Sequence, residues 1–196
     1  MISVGVFLGL LGEQSRETAH QRELAKQSLQ RFRAEIVENR DAVAAVAEYH
    51  ATVHKELQAA LEKGPERASR GDIDFHGIRP AALDRTAWDL AIATQSLTYI
   101  DPELALSLAK VYNQQETLVE LTHGLTQAMY VNPAINESNS MTFFSAVLVY
   151  YGDATIYEPR RIEMYDAILP KIASALGEKR QADYSVGGAT LTTLIT

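Results

Sequence analysis

Residues 29–60 read LQRFRAEIVENRDAVAAVAEYHATVHKELQAA and belong to a run from Glu13 to Glu62 that contains no Gly or Pro. Within this stretch, mostly apolar side chains recur at alternating intervals of three and four residues. Such spacing, sustained over several heptads, is typical of a helix that packs along a left-handed, coiled-coil-like seam. The heptad a positions are Leu29, Ile36, Val43, His50 and Leu57, and the d positions are Phe32, Asn39, Val46, Val53 and Ala60. These positions are called the seam below.

Shorter helices are predicted after this long one. The same alternating spacing recurs in residues 83–97, 104–129 and 162–176, and residues 141–151 are predicted to form a short, very apolar helix. No strand pattern appears. The sequence therefore predicts an all-α fold in which a long N-terminal helix, over about residues 13–62, packs with three or four shorter helices as a left-handed antiparallel bundle.

Turn and capping residues predict where these helices begin and end. A linker rich in Gly, Pro and charged residues runs from residue 63 to residue 80. Thr86-Ala-Trp-Asp89 is interpreted as a capping box at the start of the second helix. Gly152 is expected to end a short helix, and a last helix is expected to begin near Pro159 and to be kinked by Pro170.

The first helix is longer than the others. At 1.5 Å per residue it spans about 75 Å, whereas the others span about 18 to 45 Å. The bundle can therefore cover only part of it, and the uncovered part either pairs with another copy of the chain or stands as a charged stalk. Asn39 favours pairing, because a buried Asn in a seam can set register and oligomeric state. We therefore expect a homo-oligomer through residues 13–60, with Asn39 as its register residue.

The ends of the chain differ from the bundle, which is assigned to residues 13–180. Residues 1–12, MISVGVFLGLLG, carry no charged side chain and are assigned as an apolar anchor. As a helix they span about 18 Å, less than the roughly 30 Å of a bilayer core. Three interpretations are open: the last part of a transmembrane helix whose start is lost upstream, an interfacial anchor, or a helix end buried in an oligomer. Residues 181–196 are predicted to be a loose tail.

Composition excludes several functional classes. The formal net charge of −7 and the sequence pI near 5.2 argue against a nucleic-acid partner, which usually requires a basic patch. The sequence contains no cysteine, which excludes disulfides, thiolate metal sites and cysteine nucleophiles.

Few residues are spaced as a catalytic or metal site would require. His50 and His54 lie four residues apart on one helix, the spacing of two metal ligands, and they are the metal candidates of this chain. The alternative is a hydrogen-bonded core histidine beside a surface histidine. Two Glu-x-x-His pairs resemble a dimetal motif, but their heptad positions point outward; they are Glu17 with His20 and Glu120 with His123. We therefore expect no cofactor and no catalytic residue.

The order of features resembles that of a widespread group of uncharacterised bacterial membrane-anchored proteins. The resemblance is carried by the Gly-spaced apolar run Val4–Gly12, the charged helix Leu29–Arg40, Tyr49-His50 and Ala87-Trp88-Asp89. It covers the first 50 residues or so well and Ala87–Tyr112 loosely. It implies one N-terminal transmembrane helix followed by a soluble helical domain, and it implies no activity. Lys and Arg residues just after the apolar run then predict a bacterial inner-membrane protein with a cytoplasmic helical domain; the alternative is a soluble cytoplasmic protein.

Three functions are compatible with these patterns. The first is a non-enzymatic, membrane-tethered helical scaffold that acts through protein contacts, including contacts with itself. The second is a ligand-sensing bundle, suggested by Trp88 and by tyrosines near Thr94, Gln115 and Thr122. The third is a metal-dependent enzyme that uses His50 and His54.

Overall fold

The computed structural model describes residues 2–64, 73–131 and 140–178, with side chains described from Glu13 and, in the last range, from Phe144. The described residues form helices and irregular segments and contain no strand. The helices are α1 (Ile2–Glu62), α2 (Thr86–Ala93), α3 (Pro102–Val131) and α4 (Ser140–Ala175), with a 3-10 turn at Ser96–Tyr99. The predicted all-α fold with a long N-terminal helix is confirmed. The predicted tail, residues 181–196, lies outside the described residues.

The seam of α1 forms the centre of the core, as its spacing predicted. Every a position is buried, and every d position except Val46 is buried as well. Two of the buried seam residues, Asn39 and His50, are polar, so each needs a hydrogen-bond partner inside the bundle.

Helix α4 runs antiparallel to α1 along the seam. The pairing appears in three side-chain contacts whose partner residues descend in number as the α1 residues rise: Arg33 with Glu178 (2.5 Å), which lies just beyond the end of α4, Arg40 with Asp166 (2.5 Å) and His50 with Glu158 (2.6 Å). Helix α3 runs in the same direction as α1, since Glu35 contacts Tyr112 and Asn39 contacts Gln115. Helix α4 therefore runs antiparallel to both α1 and α3.

Residues 73–85, which we call the strap, lead the chain back down α1 before α2 begins. The Tyr49 hydroxyl donates to the Gly77 carbonyl at 2.7 Å, and Asn39 binds the backbone of Asp84. Ile73 is buried in the core. The predicted linker over residues 63–80 is confirmed in that residues 73–80 form no helix, and these residues also pack on α1 and complete the bundle.

Helix α2 begins with a cap supplied by another helix. Arg85 occupies the N-cap position and makes no capping hydrogen bond with its side chain. Instead, the Ala87 N–H donates to Glu35 Oε2 on α1 at 2.8 Å, where a carboxylate also suits the positive end of the helix dipole. The capping box predicted at Thr86–Asp89 is therefore wrong.

Helix α4 replaces two predicted helices. It continues through Gly152 and contains both Pro159 and Pro170. A proline inside a helix costs about 3 kcal/mol. The buried face of α4 runs through the proline without a break in its three-four spacing, as Tyr151, Ala154, Glu158, Arg161, Tyr165, Ile168 and Ile172 show. Burial of this face offsets the cost and keeps the helix whole.

The N-terminal part of α1 projects beyond the bundle. Its side chains from Glu13 to His20 are all exposed, and the first buried one is Ala25. Residues 2–24, which we call the arm, extend about 35 Å as helix. The prediction that the bundle covers only part of the first helix is confirmed.

The predicted transmembrane helix is wrong. Among the described residues, no helix combines the length and the apolarity that a membrane crossing requires. The reason lies in the sequence: a window of 18 residues from Ile2 already includes Glu13, Arg16 and Glu17.

Candidate functional site: a polar layer in the bundle core

The core consists of two apolar clusters with charged side chains between them. The first cluster surrounds Phe32 and Ile36, and the second surrounds Val53 and Leu57. Between them lie three buried ionisable residues, which we call the central polar layer: His50, Glu158 and Arg161, with relative exposures of 0%, 2% and 5%. Buried groups of this kind are costly and mark a candidate functional site.

His50 and Glu158 must share a proton. His50 Nδ1 lies 2.6 Å from Glu158 Oε1, and His50 Nε2 lies 3.1 Å and 3.0 Å from the carbonyl oxygens of Ile78 and Arg79. A carbonyl oxygen only accepts, so Nε2 carries a hydrogen. Nδ1 and Oε1 would then be two acceptors facing each other, so their contact needs one further proton. This proton lies on Nδ1, which makes an imidazolium, or on Oε1, which makes a carboxylic acid. The pair is therefore neutral as a whole in both arrangements.

The His50 contacts hold a strained turn of the strap. Gly77 and Arg79 both have positive φ, 91° and 46°. Such a conformation costs a residue with a side chain about 1–2 kcal/mol. The turn is stabilised by donors from α1 and α4, because Tyr49 and Tyr151 both donate to the Gly77 carbonyl. Burial raises the pKa of Tyr151, so its hydroxyl remains a donor.

Arg161 is the member of the layer that has unpaired hydrogen-bond donors. Its Nε and Nη1 atoms are buried and make no hydrogen bond. Burial lowers the pKa of its guanidinium, an effect that contact with the Tyr165 hydroxyl partly offsets. Because an arginine stays charged in proteins, Arg161 places a positive charge in the core.

A second polar network lies next to the layer, toward α2. Asn39 Oδ1 accepts from the Asp84 N–H at 2.8 Å, and Asn39 Nδ2 donates to the Asp84 carbonyl at 2.7 Å. Gln115 Nε2 donates to the same carbonyl, and the Tyr165 hydroxyl donates to Gln115 Oε1 at 3.0 Å. Burial raises the pKa of Tyr165 to about 12. Within one chain, Asn39 thus fixes the strap to α1, and its role in setting the register between copies stays a prediction.

The third polar contact of the core involves Glu35. Besides capping α2, this carboxylate accepts from the Tyr112 hydroxyl at 2.7 Å. Burial, followed by the bond to Glu35, raises the pKa of Tyr112. Trp88 stacks on Tyr112 with ring centroids 5.3 Å apart, so the single tryptophan packs in the core beside this network.

The metal candidates do not form a metal site with each other. Both ring nitrogens of His50 already face protein acceptors. His54 is half-buried and approaches α4 at Gly152, where a Cβ would lie 3.4 Å from its Nε2 atom. The described ranges contain no group of three or more side chains able to hold a metal ion. The four residues of the Glu-x-x-His pairs are exposed, as their heptad positions predicted.

An open groove of about 1170 Å³ lies between the start of α3 and the end of α4. Two of its acidic side chains already have partners. Asp101 caps α3 by accepting from the N–H groups of Glu103 and Leu104, and Glu178 pairs with Arg33. The groove therefore concentrates fewer unused polar groups than the central polar layer does.

Sequence reasoning identified His50 and missed Glu158 and Arg161. Glu158 directly precedes Pro159, and Arg161 follows it by two residues. Pro159 was interpreted as the start of a helix, where charged side chains usually face water. The signal that could have found them is the three-four spacing from Tyr151 to Tyr165, which continues across the proline.

Comparison of the chain with protein-family models, curated proteins and solved structures finds no match. The resemblance to membrane-anchored bacterial proteins is therefore wrong, since neither a family match nor a membrane-crossing helix among the described residues supports it. The arm and the central polar layer are the two features from which a function can be argued.

Proposed function

We propose that the protein is a non-enzymatic helical interaction protein that associates with a second copy of itself through the arm of α1. The observation that carries this proposal is the position of the bundle on α1. Helix α1 begins at Ile2, and among its described side chains, which start at Glu13, the first buried one is Ala25. The arm thus presents exposed helical surface from Glu13 to His20.

The composition of the arm supports a partner at its tip. Residues 2–12 are helical and contain Ile, Val, Leu and Phe without a charge, whereas residues 13–24 are mostly polar and charged. An uncharged apolar helix end needs cover to be stable in water. A second copy offers the same apolar end, and an isologous pair covers both at once.

The polar part of the arm is suited to be a spacer. Its described side-chain bonds are local and lie one turn apart, as in Thr18 to the Gln14 carbonyl and Gln21 to Glu17. Such pairs stabilise an exposed helix by about 0.2–0.5 kcal/mol each. The arm would therefore hold two bundles apart while its tip joins them.

Light scattering of the full chain tests the proposal directly. We expect a mass that is a multiple of 21.6 kDa at micromolar concentration, and a shift toward the monomer when Leu8→Glu and Leu11→Glu are combined. A matched pair of exposed changes on α3, Asn113→Glu and Gln114→Glu, should leave the mass unchanged. A wild-type chain that is monomeric at these concentrations would overturn the proposal.

Cysteine crosslinking tests the site of contact, since the natural chain has no cysteine. A single Thr18→Cys change on the arm should yield a disulfide-linked dimer under mild oxidation if two arms lie parallel and side by side. Asn113→Cys on α3 serves as the control and should form no disulfide-linked dimer. Equal crosslinking of both variants would indicate random collision instead of pairing through the arm.

A further inference from the structure

Arg161 is a buried cation that contacts the Tyr165 hydroxyl but leaves two of its guanidinium nitrogens without a hydrogen-bond partner. It lies on the inner face of α4, 5% exposed, and its Nε and Nη1 atoms have no hydrogen-bond partner. Buried polar groups are nearly always paired, and a buried guanidinium cannot lose its charge to escape the cost. Among the described residues, the cost of burying unpaired donors is therefore not offset at Arg161.

The buried carboxylates of the core already have other partners. Glu158, one turn earlier on α4, shares a proton with His50 at 2.6 Å. Glu35 accepts from the Ala87 N–H and from the Tyr112 hydroxyl. Because the His50–Glu158 pair is neutral as a whole, the central polar layer carries one net positive charge, that of Arg161.

The turn of α4 beside Arg161 lacks one of the backbone hydrogen bonds of the helix. Pro159 has no N–H, so the carbonyl of Thr155 lacks its usual helical donor. Gly152, one further turn toward the N-terminus, contributes no side-chain packing. Local opening of α4 at this turn would give a small solute access to the layer without unfolding either apolar cluster.

From these observations we infer that Arg161 binds a small oxyanion with one negative charge, such as a carboxylate, within the central polar layer. The planar guanidinium matches carboxylate oxygens in geometry, and a monoanion neutralises the single uncompensated charge. Neutral phenol groups at Tyr150 and Tyr165 flank the layer and add no negative charge that would repel the ligand. The site is independent of pairing through the arm.

Acetate titration of the full chain tests this inference, with sodium chloride at equal ionic strength as the reference. We expect acetate to raise the unfolding midpoint in a saturable way, by roughly 5 °C at a concentration far above its dissociation constant. The Arg161→Met variant, which keeps the length and removes the charge, should lose this acetate-specific rise. An equal rise in both proteins, or no rise in the wild type, would overturn the inference.

A measurement on the wild type keeps the test valid if Arg161→Met does not fold. The Arg161 Nε–H resonance, assigned with the Arg161→Lys variant, should move downfield as acetate is added, because an unpaired donor gains an acceptor. A resonance that stays in place up to molar acetate would exclude a ligand on Nε. Neither result depends on the oligomeric state. If pairing through the arm fails its test, the inference on Arg161 still stands, and if the inference on Arg161 fails, the proposal on pairing still stands.

Discussion

His50 Nδ1 and Glu158 Oε1 lie 2.6 Å apart in the core, and this contact joins residues 108 positions apart in the chain. Because the carbonyls of Ile78 and Arg79 occupy the other side of the ring, the contact requires a proton that a neutral histidine and an ionised glutamate do not supply. It links α1, α4 and the strap at one point.

The proton requirement predicts opposite outcomes for two changes at Glu158. The free energy of unfolding of Glu158→Gln should lie within about 1 kcal/mol of that of the wild type, because the amide N–H donates to Nδ1 of neutral His50 and replaces the shared proton. Glu158→Ala should lower the free energy of unfolding by about 3 kcal/mol, since it leaves a buried His50 nitrogen unpaired and a cavity beside it. Urea unfolding of both variants measures the difference, and similar losses for the two would contradict the shared-proton geometry.

The buried tyrosines predict a loss of stability at alkaline pH. Burial raises the pKa of Tyr165 from 10.0 to about 12. The folded chain therefore holds this proton more tightly than the unfolded chain. Its contribution to stability is complete below pH 10 and is lost between pH 10 and 12, at up to about 1.4 kcal/mol per pH unit.

Tyr165→Phe separates this effect from the rest of the alkaline transition. The variant should lose about 1 kcal/mol at neutral pH, because Gln115 Oε1 loses a donor, and its stability should fall less steeply above pH 10. Denaturant unfolding at several pH values, with tyrosinate absorbance at 295 nm, follows both quantities. Tyr165 ionisation without any loss of structure would contradict its burial.

The inter-helix cap predicts that α2 depends on α1. Glu35→Ala should destabilise the protein by about 2–3 kcal/mol, since both the Ala87 N–H and the Tyr112 hydroxyl lose their acceptor. Trp88 reports the change, because it stacks on Tyr112. Its fluorescence should shift in Glu35→Ala and remain unchanged in Glu38→Ala, an exposed carboxylate one turn further along α1.

The continuity of α4 predicts the effect of removing its first proline. Pro159→Ala should raise the free energy of unfolding by about 1 kcal/mol or more, because it restores an N–H donor for the Thr155 carbonyl and removes the clash of the ring. Pro102→Ala at the first position of α3 is the matched control and should bring no gain, because proline suits that position. A loss on Pro159→Ala would indicate that a separate helix begins at this residue.

The sequence alone predicts which residues of a helix are buried, because that depends only on their spacing within the helix. The seam of α1 places Asn39 and His50 in the core from periodicity alone, because burial follows directly from the face on which a residue lies. The contacts between residues of different segments could not be predicted in this way. The cap at Ala87 comes from Glu35, and the pairing of the strap with Asn39 uses backbone groups, so neither contact leaves a local pattern in the sequence. Glu158 and Arg161 were hidden by Pro159, whose local preference is overridden by the burial of the surrounding face of α4.

The central position of α1 has a consequence for the synthesis of the chain. The residues that α4 must cover on α1 leave the ribosome first, whereas Glu158 follows His50 by 108 residues. At about 5–20 residues per second, the apolar side of α1 waits several seconds or longer for its cover. During that interval a nascent chain exposes Phe32, Ile36, Val53 and Leu57 on one helical face, and exposed apolar surface of this kind favours aggregation of an incomplete chain.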